Sequence, residues 1–229
     1  MRKLTIPALA ALFVAAMTAT LFGDTGSFVD SRDGKVYRWV KIGTQTWMGE
    51  NLNYDTANGA GSWCYNNDES NCKKYGRLYD WNTAINACLT GWRLPDTADW
   101  NALARTVGGQ ARPAYNKEGK EEGYYWSVAG GKLKSKIGWN DWRKYVNKYK
   151  STIHSGNGTD DFGFSALPSG HCNKDGRGSG IGENGFWWSA TEVGKHNVWS
   201  QIMKERDDAM VPVSWLKYSG YSIRCVRHD

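Results

Sequence analysis

Five cysteines, Cys64, Cys72, Cys88, Cys172 and Cys225, constrain this chain more than any other residue type, because what they can form depends on the compartment that receives them. The N-terminus indicates that compartment. Met1, Arg2 and Lys3 make a short basic start, and no charged residue follows from Leu4 to Gly23, a stretch rich in Ala, Leu and Thr. This is the pattern of a secretory signal peptide over residues 1–23, with Ala16, Ala19 and Gly23 as small residues suited to cleavage. The alternative is an uncleaved membrane anchor, since an uncharged run of this length approaches a bilayer span, although Pro7, Thr18 and Thr20 dilute it. The remaining residues, 24–229, are expected as one secreted or extracellular domain, possible bacterial outer-surface association included, in a compartment where thiols pair.

Five cysteines allow at most two intramolecular bridges, and local pattern has to choose among the arrangements. Cys64 and Cys72 bracket YNNDESN, a polar loop of turn formers that a short bridge would close. Leu78, Trp81, Ile85 and Cys88 fall at i, i+3, i+7 and i+10, which predicts an amphipathic helix with Cys88 on its apolar stripe. Tyr221, Ile223 and Cys225 alternate with Ser222, Arg224 and Val226, so a strand would turn Cys225 inward. Two inward cysteines at opposite ends of the domain suggest a Cys88–Cys225 bridge. Cys172 is left over, as a free thiol or an intermolecular link.

A second helix is predicted within LPDTADWNALARTVGG. Asp96 is a natural N-cap, Asp99 completes a capping box, Trp100, Leu103, Ala104 and Val107 form one stripe, and Gly108-Gly109 end it. Val36 to Ile42 alternates as a strand, with Val36, Arg38, Val40 and Ile42 on one side. Gly43-Thr44 then turns into Gln45 to Met48 as a hairpin. FWWSAT and Val198 to Met203 read as two more strands. Helices near the front and strands at both ends predict an α+β domain whose termini meet in one sheet.

Composition narrows the function. There are 13 Trp and 12 Tyr against 5 Pro and 5 Met, which excludes a Pro-rich linker protein and a coiled coil. Trp47, Trp81, Trp92, Trp100, Trp188 and Trp199 lie in or beside the predicted elements and are expected in the core. The formal net charge of +6 falls to +4 once Arg2 and Lys3 leave with the signal, too weak and diffuse for a nucleic-acid partner.

Seven ordered segments carry a resemblance: DSRDGKVYRWVKIGTQTWMGENLNY, WCYNNDESNCKKYGRLYDW, CLTGWRLPDTADWNAL, AGGKLKSKIGWN, GNGTDDFGFSALPSG, FWWSATE and GYSIRCVRHD. Together they resemble the Fibrobacter succinogenes major paralogous (FISUMP) domain, from about Val29 to the C-terminus. The resemblance implies a secreted or cell-surface bacterial module with no settled activity. It also implies a C-type-lectin-like fold: two helices packed on short twisted antiparallel sheets, disulfide-stapled, the first helix tied to the last strand at positions matched by Cys88 and Cys225.

Fold does not confer function, so the chemistry is read residue by residue. The Pro-containing loop of calcium-dependent lectins is missing, and Trp139-Asn140-Asp141 spells their second motif far upstream of Cys225. Asp68 with Glu69, and Asp160 with Asp161, read as turn formers and solvated charges rather than metal ligands, so no metal or cofactor is inferred. RLPDTADW is similar to a helix-entry motif of formylglycine-generating enzymes, but those need a reactive cysteine pair, and only Cys172 beside His171 is left. No carboxylate pair is singled out for glycosidase chemistry, and the chain is expected not to be an enzyme.

The motifs do not predict NDWRKYVNKYKSTIHS, which follows Trp139. Trp139, Trp142, Tyr145 and Tyr149 sit there among Lys136, Arg143, Lys144, Lys148 and Lys150. At helical spacing Trp142, Tyr145 and Tyr149 share one face. That face is either a binding surface, stacking on sugars or holding an acidic polymer or protein, or a stripe packed onto the domain with lysines that keep it soluble. Two functions follow: a non-catalytic module for polysaccharide or cell-surface adhesion, or a structural subunit of an extracellular or outer-membrane-associated assembly. The second calls for surface-protein partners and a contiguous apolar patch, with the surroundings of an exposed Cys172 as one candidate place for it. A membrane is reached only through an uncleaved signal or a partner protein.

Overall fold

The computed structural model describes residues 23–56 and 60–228, so the expected signal peptide lies outside them apart from Gly23. Among these residues the chain forms, in order, β1 (Thr25–Val29), β2 (Val36–Ile42), β3 (Gln45–Met48), β4 (Ser62–Trp63), α1 (Glu69–Tyr75), β5 (Leu78–Tyr79), α2 (Trp81–Ala84), α3 (Thr97–Thr106), β6 (Gln110–Tyr115), β7 (Glu121–Ser127), α4 (Ala129–Leu133), β8 (Trp142–Asn147), β9 (Lys150–His154), β10 (Ser169–Cys172), β11 (Gly178–Ile181), β12 (Asn184–Val193), β13 (Asn197–Lys204), β14 (Val211–Leu216) and β15 (Val226–His228). β1, β2, β3 and β15 make a four-stranded antiparallel sheet, so the N- and C-terminal segments meet as expected. A second sheet runs β11-β10-β12-β13-β14, and β4–β5, β6–β7 and β8–β9 are two-stranded ribbons.

The fold is therefore mainly β, which overturns the α+β, C-type-lectin-like expectation of two helices on short sheets. Among the described residues only α3 has the length of an ordinary helix, at ten residues. The helix expected to carry Cys88 lasts one turn: Asp80 caps it through Thr83 N–H, Ile85 closes on Trp81, and Asn86 and Ala87 then bond three residues back. Asn82, Thr83 and Asn86 are weak helix formers, and nothing in the sequence prolongs the turn. Its inward face still packs as the stripe implied, with Trp81 and Ala84 in the core and Cys88 against it. The segment after Trp139, expected as a helix, is instead the β8–β9 hairpin.

The capping box of α3 forms in full, and Trp100, Leu103, Ala104 and Val107 are all buried. Asp99 does more than cap. It takes hydrogen bonds from Arg93 (2.5 and 2.8 Å) and Gln45 (3.1 Å) and meets His228 (2.9 Å), tying α3 to β3 and β15. Burial alone would raise this carboxyl, but the bonds from Arg93, the Asp96 N–H and His228 outweigh it and hold the pKa low.

Neighbouring residues of the central strands enter two different cores. Trp47, Trp187 and Val226 join Trp100, Leu103 and Phe164 in one, while Met48, Trp188 and Cys225 join Trp81, Tyr79 and Tyr221 in the other. Both faces of these strands are thus covered, so hydrophobic runs such as FWW need no alternation. For the same reason β2 departs from its predicted sidedness: Tyr37 enters one core, Val40 and Ile42 the other, and Val36 and Arg38 stay exposed. Seven tryptophans are buried, among them Trp47, Trp81, Trp100 and Trp188; Trp92 and Trp199 are half-buried. Rings meet in tilted and offset-stacked pairs, Trp47 with Trp100 at 4.9 Å and Trp188 with Tyr221 at 4.3 Å.

Cys64 pairs with Cys72 and Cys88 with Cys225. Cys172 is free and buried, and burial pushes its thiol up to about 12. An apolar docking patch around an exposed Cys172 is therefore ruled out. No helix among the described residues is long and apolar enough to cross a membrane.

Candidate functional site

A groove opens where the base of the β8–β9 hairpin meets the loop between β13 and β14. Trp142 and His154 pair across the hairpin and their rings stack at 4.7 Å with 20° between planes. They wall a cavity of about 180 Å³ whose other side is Glu205, Arg206, Asp207 and Asp208. Ser155 and Asp208 also line an adjoining cavity of about 370 Å³ that runs past Asn157, Thr159 and Asp161 to Val128 and Lys132. The two cavities make one groove with an aromatic end and a floor of carboxylates, hydroxyls and an amide.

A buried lysine holds this groove in shape. Lys134 donates from Nζ to the carbonyls of Lys204 (3.1 Å) and Asp207 (3.0 Å), has Asp208 Oδ1 at 3.8 Å and faces the Trp139 ring at 5.2 Å. Burial lowers its pKa, opposed by Asp208, Asp207 and Glu205. The backbone closes in as well: Gly131 N–H reaches Asp208 O, and Thr159 N–H reaches Gly131 O. Glycine is required for that approach, since a Cβ at Gly130 would strike the Ala209 carbonyl and one at Gly158 the Gly131 carbonyl. Val128, on the groove wall, has φ +57°, a conformation β-branched residues avoid. Such strain is held by the surrounding structure and concentrates at functional sites.

Of the four aromatics singled out after residue 138, the groove uses one. Trp142 lines it. Trp139 is core, its indole N–H donating to Ala166 O. Tyr145 falls on the opposite face of β8 from Trp142, because residues three apart on a strand alternate, and Tyr149 stands exposed at the hairpin tip. His154, Asp207, Asp208 and Thr159 were not singled out, and no local pattern marks them, since two segments distant in sequence bring them together. The acids expected as turn formers are largely that: Asp68 caps α1, and Asp160 takes bonds from Ser165 N–H and Oγ. Among the described residues Cys64, Glu69 and Cys72 lie close enough to hold a metal, but both sulfurs are in the disulfide.

Among the described residues two further clefts open elsewhere on the domain, away from the stacked Trp142–His154 pair. One of about 250 Å³ is lined by Lys35, Lys73, Lys74 and Glu50, and Lys73 and Lys74 fall in the last turn of α1, where cations answer the helix dipole. The other, of about 170 Å³, lies between Tyr124, Trp199 and Asn101.

These features define a mainly β domain with two disulfides, suited to an oxidising compartment, whose aromatic core supports one groove with an aromatic wall and a polar floor. A model of the Fibrobacter succinogenes major domain matches residues 40–227. The chain belongs to that family, to which its ordered motifs pointed. No curated protein and no solved structure matched it.

Proposed function

We propose that the domain is a secreted or cell-surface, non-catalytic binding module that holds a polysaccharide segment in the groove. One observation carries this reading: the stacked Trp142–His154 pair walls a cavity whose remaining lining is hydrogen-bonding. A sugar ring presents an apolar face and a rim of hydroxyls, so it is matched by a flat ring beside carboxylates and hydroxyls. Two of the four acids that line the groove are already engaged within the protein, which supports a holding role for them. Glu205 is paired with Arg206 (2.8 Å) and Asp207 takes the Ala209 N–H (2.8 Å), so each already has a structural partner.

Retention on insoluble glucans tests the reading. Trp142→Ala is expected to weaken retention about ten-fold, the loss of one stacking contact. Tyr149→Ala, at the far end of the hairpin, leaves it unchanged. Equal retention of wild type and Trp142→Ala would overturn the assignment.

A further inference from the structure

The rest of the β8–β9 hairpin has no role in the groove. Among the described residues its two strands pair only with each other, and such a ribbon is marginally stable in water. Yet it displays Tyr145, Val146, Tyr149 and Ile153 at 73%, 60%, 89% and 67% exposure, the densest run of large exposed apolar side chains among the described residues. From Trp142 to His154 there are four cations, Arg143, Lys144, Lys148 and Lys150, and no acid. None of the four forms a salt bridge among the described residues; Arg143 donates to Ser151 Oγ, and Lys148 lies over the Tyr149 ring at 5.4 Å. Cross-strand register separates the two surfaces. Trp142 opposite His154 and Lys144 opposite Thr152 share the groove side, whereas Arg143 opposite Ile153 and Tyr145 opposite Ser151 share the outer side.

We propose that the outer face and tip of this hairpin dock on an anionic lipid surface. The residue types favour lipid over glycan. Val146 and Ile153 have no flat ring to offer a sugar, but they gain by leaving water for the boundary between headgroups and acyl chains. Tyrosine settles at headgroup level, and lysine stems lie along apolar surface while their ammonium groups reach phosphates. The surface is unmatched by any carboxylate of its own hairpin, so an anionic partner is the complementary one.

Flotation of the whole domain with phosphatidylcholine vesicles containing about a third phosphatidylglycerol tests the proposal, at a cation contribution of about five-fold each. The wild type is expected to float with these vesicles, far less with phosphatidylcholine alone, and less at high salt. Lys148→Gln with Lys150→Gln weakens binding about twenty-five-fold. Tyr149→Ser with Ile153→Thr also lowers it, whereas Tyr218→Ser, an exposed tyrosine elsewhere, does not. All these positions are solvent-exposed, and an unchanged near-ultraviolet circular dichroism spectrum verifies the fold of each variant. Equal flotation of variants and wild type, no flotation at all, or capture by polygalacturonate beads without flotation would each overturn the proposal. The groove reading survives any of these results, because its test depends on Trp142.

Discussion

Arg224 brings five N–H donors into the interior, and four neutral acceptors meet them in five hydrogen bonds. Nε and Nη2 donate to Asn51 Oδ1, Nη2 also to Ser165 O, and Nη1 to Met48 O and Phe164 O. The Phe164 ring lies 4.4 Å from the guanidinium carbon, and no carboxylate among the described residues bonds to it. Burial lowers its pKa to about 9, which leaves it charged at neutral pH. Loops around residues 48–51 and 164–165 are thus fastened to the chain before β15 by one side chain. Arg224→Met would leave the Met48, Phe164 and Ser165 carbonyls without these donors, at an expected cost of about 3–5 kcal/mol in urea unfolding. A loss below about 1 kcal/mol would mean that water or a relaxed backbone replaces the bonds. The sequence did not announce this residue: Tyr221, Ile223 and Cys225 alternate inward as read, but nothing local signals that Ser222 and Arg224 between them are buried too.

Elements were legible where the chain itself carried their ends. α3 has its cap, its box and its closing glycines in sequence, and the β2–β3 hairpin has its turn, so both formed where expected. α2 and the β8–β9 hairpin failed for one shared reason. Apolar spacing in a short segment fits a helix or a strand equally, and only length, breakers or tertiary neighbours decide. The disulfides succeeded because each joins residues whose local pattern faced inward or bracketed a loop. They are expected to contribute unequally: Cys88 and Cys225 are 137 residues apart and Cys64 and Cys72 only 8. Loop entropy then gives about 5 kcal/mol for the long bridge against about 2.5 for the short one. Paired Cys→Ala variants, compared by urea denaturation, are expected to show that order; a larger loss from the short bridge would contradict it.

At the scale of the molecule, the sequence carried the family and the meeting of the two ends in one sheet, while the balance of helix and strand escaped it. Burial on both faces of β2, β3 and β12 removes the alternation that marks a strand, and ribbons such as β6–β7 have no strong pattern of their own. The groove was less legible still. Trp142 was visible as an aromatic among cations, but its partners come from residues 154–161 and 205–208, brought beside it by Lys134 and the glycine contacts. The proposal that the groove holds sugar is tested by a nuclear magnetic resonance titration with soluble glucan oligosaccharides. Saturable shifts are expected at the Trp142 indole N–H, the His154 ring and the Thr159 amide, with Tyr124 and Trp199 undisturbed. No shift, or shifts confined to the cleft between Tyr124 and Trp199, would contradict it.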